Sequence, residues 1–597
     1  MDMPTTRAGS ERALSDFPAF FVNNFKRRAA IEVCERHLSP EEKTQFQAAK
    51  AIEVSNFLAA KAFEALPEHL KPSASQAIRM RWILTWKYKE DGSKKAKSRA
   101  VLLGYQDPCY EQRATNSPTT TRQTRQLQLQ LAASLRFRMY KGDVTGAFLQ
   151  SRPYPGELYC IPAPEICEAM GLPPESITKV RKACYGLVDA PLEWYRSICE
   201  CFERLGLKRC WSDPCCWIYL QNGSLKGIIS GHVDDFLFSG DEKCAGWTAI
   251  LEAIKQEYKW GDWEHTRFVQ CGVLLEQHED FSFSLSQEKY VEDLKYINLR
   301  SHRKKDRSSP TDDWEKTQLR TLLGGVSWHA QQVAPHFAAE VGLLLSEVNK
   351  SSIDTVLRAN RLMDKVKSLK DHRLKVHAIP VSELALYVWV DAGSQNRPDG
   401  SSTQGIVLGV ASQRMSHGEC VDVTLVSWHS QKIERRCRSP GAAEALAAVN
   451  GEDSLYYGRF QLAEMLGYPV CVKDIDNTVN QIMGTLVTDS RNVYDKMETE
   501  ALSIKGAEKR TDLELLALKE SQLRNRVHIR WVHGEAQLSN GLTKGSEYKQ
   551  LELFYSMNQK WRIVEDVERA SARRRKALGL SPLEPREEKT PDLPEKE

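Results

Sequence analysis

The spacing of apolar and polar positions changes several times along the chain, and each change marks an element. From Ser39, the run SPEEKTQFQAAKAIEVSNFLAAKAFEAL carries apolar residues at helical spacing behind a start signal of Ser39, Pro40, Glu41 and Glu42, which predicts a helix. Next, IRMRWILTWKYKEDGSKKAKSRAVLLGYQ reads as two strands about a turn at Asp91-Gly92, a β-hairpin. RQTRQLQLQLAASL looks helical, FRMYKGDV strand-like and TGAFLQ helix-like, and strand and helix patterns alternate to about Leu294; this predicts an α+β unit. Residues 290–370 look mostly helical, with Leu322, Val326, Ala330 and Val333 recurring on one face. Strand patterns return in LALYVWVDAG, TQGIVLGV and VTLVSWHS. A helical GAAEALAAVNGEDSLYYGRFQLAEML and a strand ending in VTDS then complete a second α+β unit. No internal repeat is visible.

A chain of 597 residues has room for more than one core. Its net charge of +4 permits nucleic acid as a partner without arguing for it. The 15 cysteines include no CxxC pair, and Cys34 with His37 and His417 with Cys420 each lack a second pair to complete a zinc site. Their scatter predicts reduced thiols in a cytosolic or nuclear protein. The N-terminus has no signal-peptide core and no apolar run approaches the roughly 18 residues of a membrane span, so no membrane partner is expected. SPLEPREEKTPDLPEKE at the end is expected to be disordered.

One stretch changes the picture. GHVDDFLFSG, Gly231 to Gly240, sets Asp234 and Asp235 between apolar runs, where carboxylates are costly without a partner. Asp143, in FRMYKGDVTGAFL, closes another strand. Strand-end carboxylates meeting at a hairpin suit a hard divalent cation, and a pair of metals about 4 Å apart can activate a 3′-hydroxyl and stabilise a leaving pyrophosphate.

In order, DVTGAFLQ, VRKACYGLVDAPLEWY and HVDDFLFSG resemble the reverse transcriptase of copia-type LTR retrotransposons, which reads DVKTAFL, LYGLKQAPRxWY and YVDDxLIAG. KSRAVLLGY and NSPTTTRQT upstream, and FSLSQEKYVEDL and LRTLLGGVSWHAQQVAPHFAAEVGLLLS downstream, are similar to further segments of that family. The likeness spans roughly residues 45–370. It implies Asp143 and Asp234 as principal metal ligands with Asp235 in support. It also implies Phe148 as the aromatic that closes the sugar pocket, and Lys97 and Arg99 as groups that neutralise triphosphate oxygens; a solvated basic run is the other reading of that pair. Tyr185, Gly186, Ala190, Pro191 and Trp194 match the template-grip and dNTP-pocket segment, although Trp194 also suits a core. His232 stands where the family has Tyr and Asp189 where it has Gln; a carboxylate beside a triphosphate is repelled unless a metal or Arg intervenes.

Further on, YVWVDAGSQNRPDGSSTQGIVLGV and VSWHSQKIERRCRSPGAAEALAA resemble the ribonuclease H domain that follows the copia polymerase. The implied carboxylates are Asp391 on the first strand, Glu444 on the first helix, and either Asp476 or Asp489 at the fourth strand; Asp489 is preferred because TDS ends an apolar strand. WVHGEAQLSNGLTKG places Asn540 at the last Asp of the family's cluster. An amide oxygen can still coordinate a metal but carries no charge, so slower cleavage is expected. His533 and Glu535 either assist product release or belong to a solvated loop.

The resemblance implies an α+β multidomain chain: a right-hand polymerase (fingers, palm, thumb), a helical connection and a C-terminal ribonuclease H-like domain. The expected divisions are 1–40, an extension; 41–290, fingers and palm; 291–380, helical thumb and connection; 381–550, the nuclease; and 551–597, a charged tail. Expected cofactors are Mg²⁺ or Mn²⁺, two per active site. Expected partners are RNA and DNA template–primer, RNA–DNA hybrid and dNTPs, in cytoplasmic particles, the nucleus, or both. No zinc knuckle, aspartic protease or integrase pattern is visible, so a polymerase–nuclease portion of a longer polyprotein, or a genomic remnant, is expected. HRKKDR (His302 to Arg307) and RRRK (Arg573 to Lys576) read as solvated faces, nuclear-entry signals or nucleic-acid contacts.

Overall fold

The computed structural model describes residues 32–88, 93–499, 509–545 and 548–563, with residue 579. The turn expected at Asp91-Gly92, the RRRK run and the terminal segment expected to be disordered lie outside the described residues. Helix α1 (Pro40–Ala59) starts at its signal: Ser39 accepts the Glu42 N–H, and the Glu42 carboxylate accepts the Ser39 N–H, a reciprocal cap for two orphan donors. Strands β1 (Ala77–Tyr88) and β2 (Lys94–Leu102) pair antiparallel. Alternation along β2 buries Ala96, Ser98 and Ala100, while Lys97 stays exposed and Arg99 half-buried.

Helix α2 (Arg122–Leu135) leads into β3 (Arg138–Val144). TGAFLQ forms only a 3-10 turn, Ala147–Gln150, because Gly146 enters the left-handed region at φ 64° and breaks the helical path. After α3 (Ala190–Arg204) come β4 (Cys216–Gln221), β5 (Ser224–His232), β6 (Asp235–Gly240) and β7 (Trp260–His265). They build an antiparallel sheet in the order β7–β3–β6–β5–β4, with Lys208–Arg209 at the edge. One face carries Phe236, Phe238, Trp260 and Trp263 and packs against Trp194 and Phe202 of α3. The other is covered by α2, whose Gln128 donates to the carbonyls of Ile228 and Leu237.

A second antiparallel sheet joins β8 (Arg267–Gln270), β9 (Val273–Gln277), β10 (Phe283–Ser286) and β11 (Leu374–Val376). Through β11, it ties chain on both sides of residue 290 together. Between β10 and β11 lie α4 (Asp313–Gln332), α5 (Ala338–Glu347) and α6 (Ile353–Ser368).

The C-terminal sheet contains β12 (Leu384–Gly393), β13 (Thr403–Ser412), β14 (Val421–Lys432), β15 (Met483–Thr488), β16 (Val527–Trp531) and β17 (Lys560–Trp561) in the order β16–β15–β12–β13–β14–β17. β15 runs parallel to both β12 and β16, and the long helix α7 (Pro440–Met465) makes the crossover. β12 is buried from Leu384 to Asp391. A central strand covered on both faces needs such an unbroken apolar run, so the acid at its end is conspicuous. This is the first-strand, first-helix, fourth-strand arrangement that the nuclease resemblance implies. Among the described residues, no helix is long and apolar enough to cross a membrane.

Candidate active sites

The first acidic group forms where β3 meets the β5–β6 hairpin. Asp235 lies directly opposite Asp143 in register, so both side chains share one face of the sheet. The hairpin turns through Val233 and Asp234, and the Val144 N–H bonds the Asp234 carbonyl at 2.8 Å. Val233 has φ 62°, a left-handed conformation that a β-branched residue resists and a glycine would adopt freely. The Trp194 indole N–H holds the Val233 carbonyl at 2.6 Å. Trp194 is therefore both core and clamp: its ring packs against Tyr258, and its nitrogen fixes the turn that carries the acids.

Burial and the charge of Asp234 raise the Asp143 pKa, against the pull of Lys141, Lys87 and Lys97. Burial pushes Asp235 to about 6, opposed by the Lys141 ammonium and the Cys271 backbone N–H. Lys141, two residues before Asp143 and paired with Glu264 at 3.0 Å, is a neighbour the sequence reading missed. Strand periodicity alone puts it on the face of Asp143. Asp234 stays exposed on the turn and Asp235 points towards Lys141 and Cys271, so these three acids are less tightly gathered than the second set described below.

Across the cleft, Arg99 lies over the Tyr185 ring at 4.4 Å, and Phe148 meets the same ring at 5.1 Å. Lys97 is close enough to Asp143 for each to shift the other's pKa. Gly186, at φ 95°, lets this corner dock on β2: an added Cβ would sit 2.0 Å from the Leu102 carbonyl oxygen, and the Leu102 N–H bonds the Tyr185 carbonyl at 2.8 Å. Pro191 occupies the first turn of α3, where its missing N–H costs nothing, and its carbonyl accepts the Ser117 hydroxyl at 3.1 Å. His232 is half-buried opposite Asp235. Asp189 is buried away from this pocket: it accepts the Tyr154 hydroxyl at 2.9 Å and lies 3.9 Å from Arg113. The repulsion expected of it is absorbed by these partners.

The second group is tighter. Asp391 ends the buried run of β12, Glu444 sits in the first turns of α7, and Asp489 follows the last residue of β15. Their ligand oxygens lie within 4.8 Å of one another, the one such His/Cys/Asp/Glu group of three or more among the described residues. Asp476 is elsewhere, accepting from Tyr456 at 2.8 Å and paired with Arg524. Burial raises all three pKa values, and the neighbouring carboxylates add to it at Glu444, which lies far above the carboxylate range, and at Asp489, which lies at about 7. Lys544, in LTKG, pulls all three the other way; nothing in its local pattern distinguishes it from a surface lysine.

The fold brings Asn540 to the Asp489 side of this group: a Cβ added at Gly534 would lie 3.3 Å from Asp489 Oδ2 and 3.7 Å from Asn540 Nδ2. Gln537 is fully buried and donates to the Val390 and Val487 carbonyls at 2.9 and 3.3 Å, which pins the 3-10 segment Leu538–Leu542 across the ends of β12 and β15. Gly405, opposite Asp391, leaves room for it: an added Cβ would lie 2.8 Å from the Ser539 carbonyl oxygen. The Thr543 hydroxyl then donates to Asp391. Asn540 gives its amide N–H to the Gly534 carbonyl at 2.6 Å, leaving its carbonyl oxygen buried without a partner. His533 and Glu535 form an exposed loop pair at 3.7 Å.

Both centres offer oxygen donors with unmet demand. Glu444 Oε2, Asn540 Oδ1 and Asp235 Oδ1 are buried without a hydrogen-bond partner. Like charges crowded in a low-dielectric site are relieved by a cation, and an all-oxygen set suits a hard divalent one.

Residues 69–303 match the family described as reverse transcriptase (RNA-dependent DNA polymerase). The chain is 24% identical over 400 residues to the retrovirus-related Pol polyprotein from transposon RE1 of Arabidopsis thaliana, covering 65% of this chain and 26% of that protein. It is 28% identical over 228 residues to the corresponding polyprotein from transposon TNT 1-94 of Nicotiana tabacum, covering 37% and 16%. The chain thus spans about a quarter of the length of the first of these relatives. Among solved structures, a foamy viral protease–reverse transcriptase in complex with double-stranded DNA aligns with TM-score 0.45 at 10% identity, over 82% of this chain and 70% of that one.

Proposed function

We propose, from the match of residues 69–303 to the reverse transcriptase family, that the chain is an RNA-directed DNA polymerase of the copia-type retrotransposon class, coupled to a ribonuclease H-like nuclease that cuts the RNA strand of RNA–DNA hybrids. The observation that carries the reading is the register of Asp143 against Asp235 beside the exposed Asp234, with Lys97 facing them. Mg²⁺ or Mn²⁺, two per centre, would be held by Asp143, Asp234 and Asp235 in the first and by Asp391, Glu444, Asp489 and the Asn540 carbonyl in the second, where they would activate a hydroxyl or water and offset phosphate charge.

The chain's own groups supply the rest. Lys97 and Arg99 neutralise the triphosphate of an incoming dNTP, Arg99 being held over the Tyr185 ring. Phe148, braced by the same ring, closes the sugar pocket against a 2′-hydroxyl. Tyr185, Gly186 and Pro191 form the pocket wall. Template, primer and hybrid bind mainly through backbone phosphates, without reading sequence. We assign residues 41–290 to fingers and palm, 291–380 to thumb and connection and 381–550 to the nuclease, in a protein of cytoplasmic particles, the nucleus, or both.

Asn540 favours a second reading for the nuclease alone, a centre that binds hybrid but has lost turnover. Primer extension on poly(rA)/oligo(dT) with Mg²⁺, against an Asp234→Asn control, tests the polymerase: incorporation no greater than the control's rejects it. Cleavage of an RNA–DNA hybrid separates the two nuclease readings.

A further inference from the structure

Helix α7 carries Glu444 near its start and Glu464 near its end, twenty residues apart or about 30 Å at a helical rise of 1.5 Å per residue. Glu464 takes no part in the C-terminal acidic centre. It is 1% exposed and spends both oxygens on the turn that precedes β4. One accepts the Trp211 N–H at 2.7 Å; the other accepts the Ser212 N–H at 2.9 Å and the Ser212 hydroxyl at 2.7 Å. A carboxylate removed from water is stable only when its lone pairs are met, and here all three donors come from the central-sheet unit, some 250 residues away in sequence.

Two further residues of α7 lie on the same stripe at helical spacing. The Tyr457 hydroxyl donates to the Ser212 carbonyl at 2.6 Å, and Gln461 donates to the Thr124 hydroxyl oxygen at 2.8 Å while accepting from Gln123 at 2.9 Å. The turn that Glu464 and Tyr457 grip is itself braced, with Asp213 accepting the Thr121 N–H at 2.9 Å and the Cys215 N–H at 2.8 Å. From there the path to the polymerase acids is short. The Gly231 N–H bonds the Cys215 carbonyl at 3.0 Å, and the Gly231 carbonyl accepts the Thr120 N–H at 3.2 Å; Gly231 lies on β5, just before the hairpin turn that holds Asp234.

The geometry points to Glu464 as a positioning residue that fixes the separation and orientation of the two acidic centres, and so sets which nucleotide of the RNA strand is cut relative to the primer 3′ end. This rests on the function proposed above. Glu464 touches no reacting atom; it acts through the 211–216 turn on one side and the rigid body of α7 on the other. A loosened joint lets one centre drift against the other, which widens the spread of cuts without removing either active site.

The test uses the full chain and a 5′-labelled RNA template annealed to a recessed DNA primer, with Mg²⁺. Wild type should cut in a window of a few nucleotides. Glu464→Ala should spread the cuts over at least about twice as many positions while total cleavage and primer extension each stay within about threefold. Glu464→Gln, which keeps one acceptor oxygen and sets an NH2 where the other stood, should fall between, and Tyr457→Phe should broaden the window least. An unchanged window in Glu464→Ala overturns the inference. So does collapse of both activities in Glu464→Ala with unaltered windows in the two milder variants. If wild type neither extends nor cuts, the proposed function fails by itself, and amide hydrogen exchange decides the joint. Faster exchange at Trp211 and Ser212 in Glu464→Gln supports it; exchange equal to wild type overturns it.

Discussion

In the central sheet, Asp143, Asp234 and Asp235 hang on a two-strand register and a strained hairpin turn, with Asp234 left exposed and a lysine on either side of the cleft. In the C-terminal sheet, Asp391, Glu444 and Asp489 crowd within 4.8 Å, mostly out of water, on two strand ends and a long helix. The open centre holds its acids further apart, although burial raises Asp143 and pushes Asp235 to about 6, and would leave the gathering of its ligands to substrate and ions. The closed one is gathered before anything arrives and stores repulsion that a cation would release. A polymerase must admit a fresh nucleotide and shift its primer every cycle, whereas a nuclease needs only to seat a phosphodiester. The contrast fits that division of labour.

The largest test of this contrast is separation of the two activities. Asp234→Asn should lower primer extension by about 10³-fold, roughly 4 kcal/mol of barrier, and leave hybrid cleavage within about twofold; loss of both would break the independence of the centres. Next comes the stored repulsion. The folded protein holds protons on Asp489 up to about pH 7, and on Glu444 higher still, while the unfolded chain releases them near pH 4. Over that window the native state binds more protons than the unfolded state, so metal-free stability falls as pH rises, by on the order of 5 kcal/mol. Thermal melts from pH 4 to 7 should show the fall, Mg²⁺ should flatten it, and Glu444→Gln should reduce it while lowering cleavage by about 10²-fold. A pH-independent melting temperature would sink the idea. A smaller effect belongs to Asn540→Asp, which should speed cleavage about tenfold at limiting Mg²⁺. It should also cost about 1 kcal/mol without metal, because a carboxylate would then face the Gly534 carbonyl; no change in either quantity would remove Asn540 from the centre. Smallest is Val233→Gly, which relieves the left-handed turn at φ 62° and should raise stability by about 0.5 kcal/mol in urea unfolding. Destabilisation there would mean that Trp194 had already absorbed the strain.

Much of this was legible in the chain. The capping residues of α1, the strands either side of the paired aspartates and the buried run ending at Asp391 each follow from local pattern, because helix caps and strand alternation are decided within a few residues. Short-range reading failed at TGAFLQ, where one left-handed glycine turned a helix start into a 3-10 turn. It also missed Lys141, although strand periodicity would have found it.

By itself the sequence determined which acidic residues were candidates for a centre and on what kind of element each sits, since side-chain type and backbone period are local properties. Only the tertiary structure decided which acids meet. It turned Asp489 rather than Asp476 towards Glu444, tied Asp189 to Tyr154 inside the fold and laid Asn540 against Gly534 by way of Gln537. Apart from the six-residue link between Asn540 and Gly534, these contacts join residues tens to hundreds of positions apart, and whether a charge stays solvated, finds a donor or is forced beside another charge depends on what the whole fold packs around it.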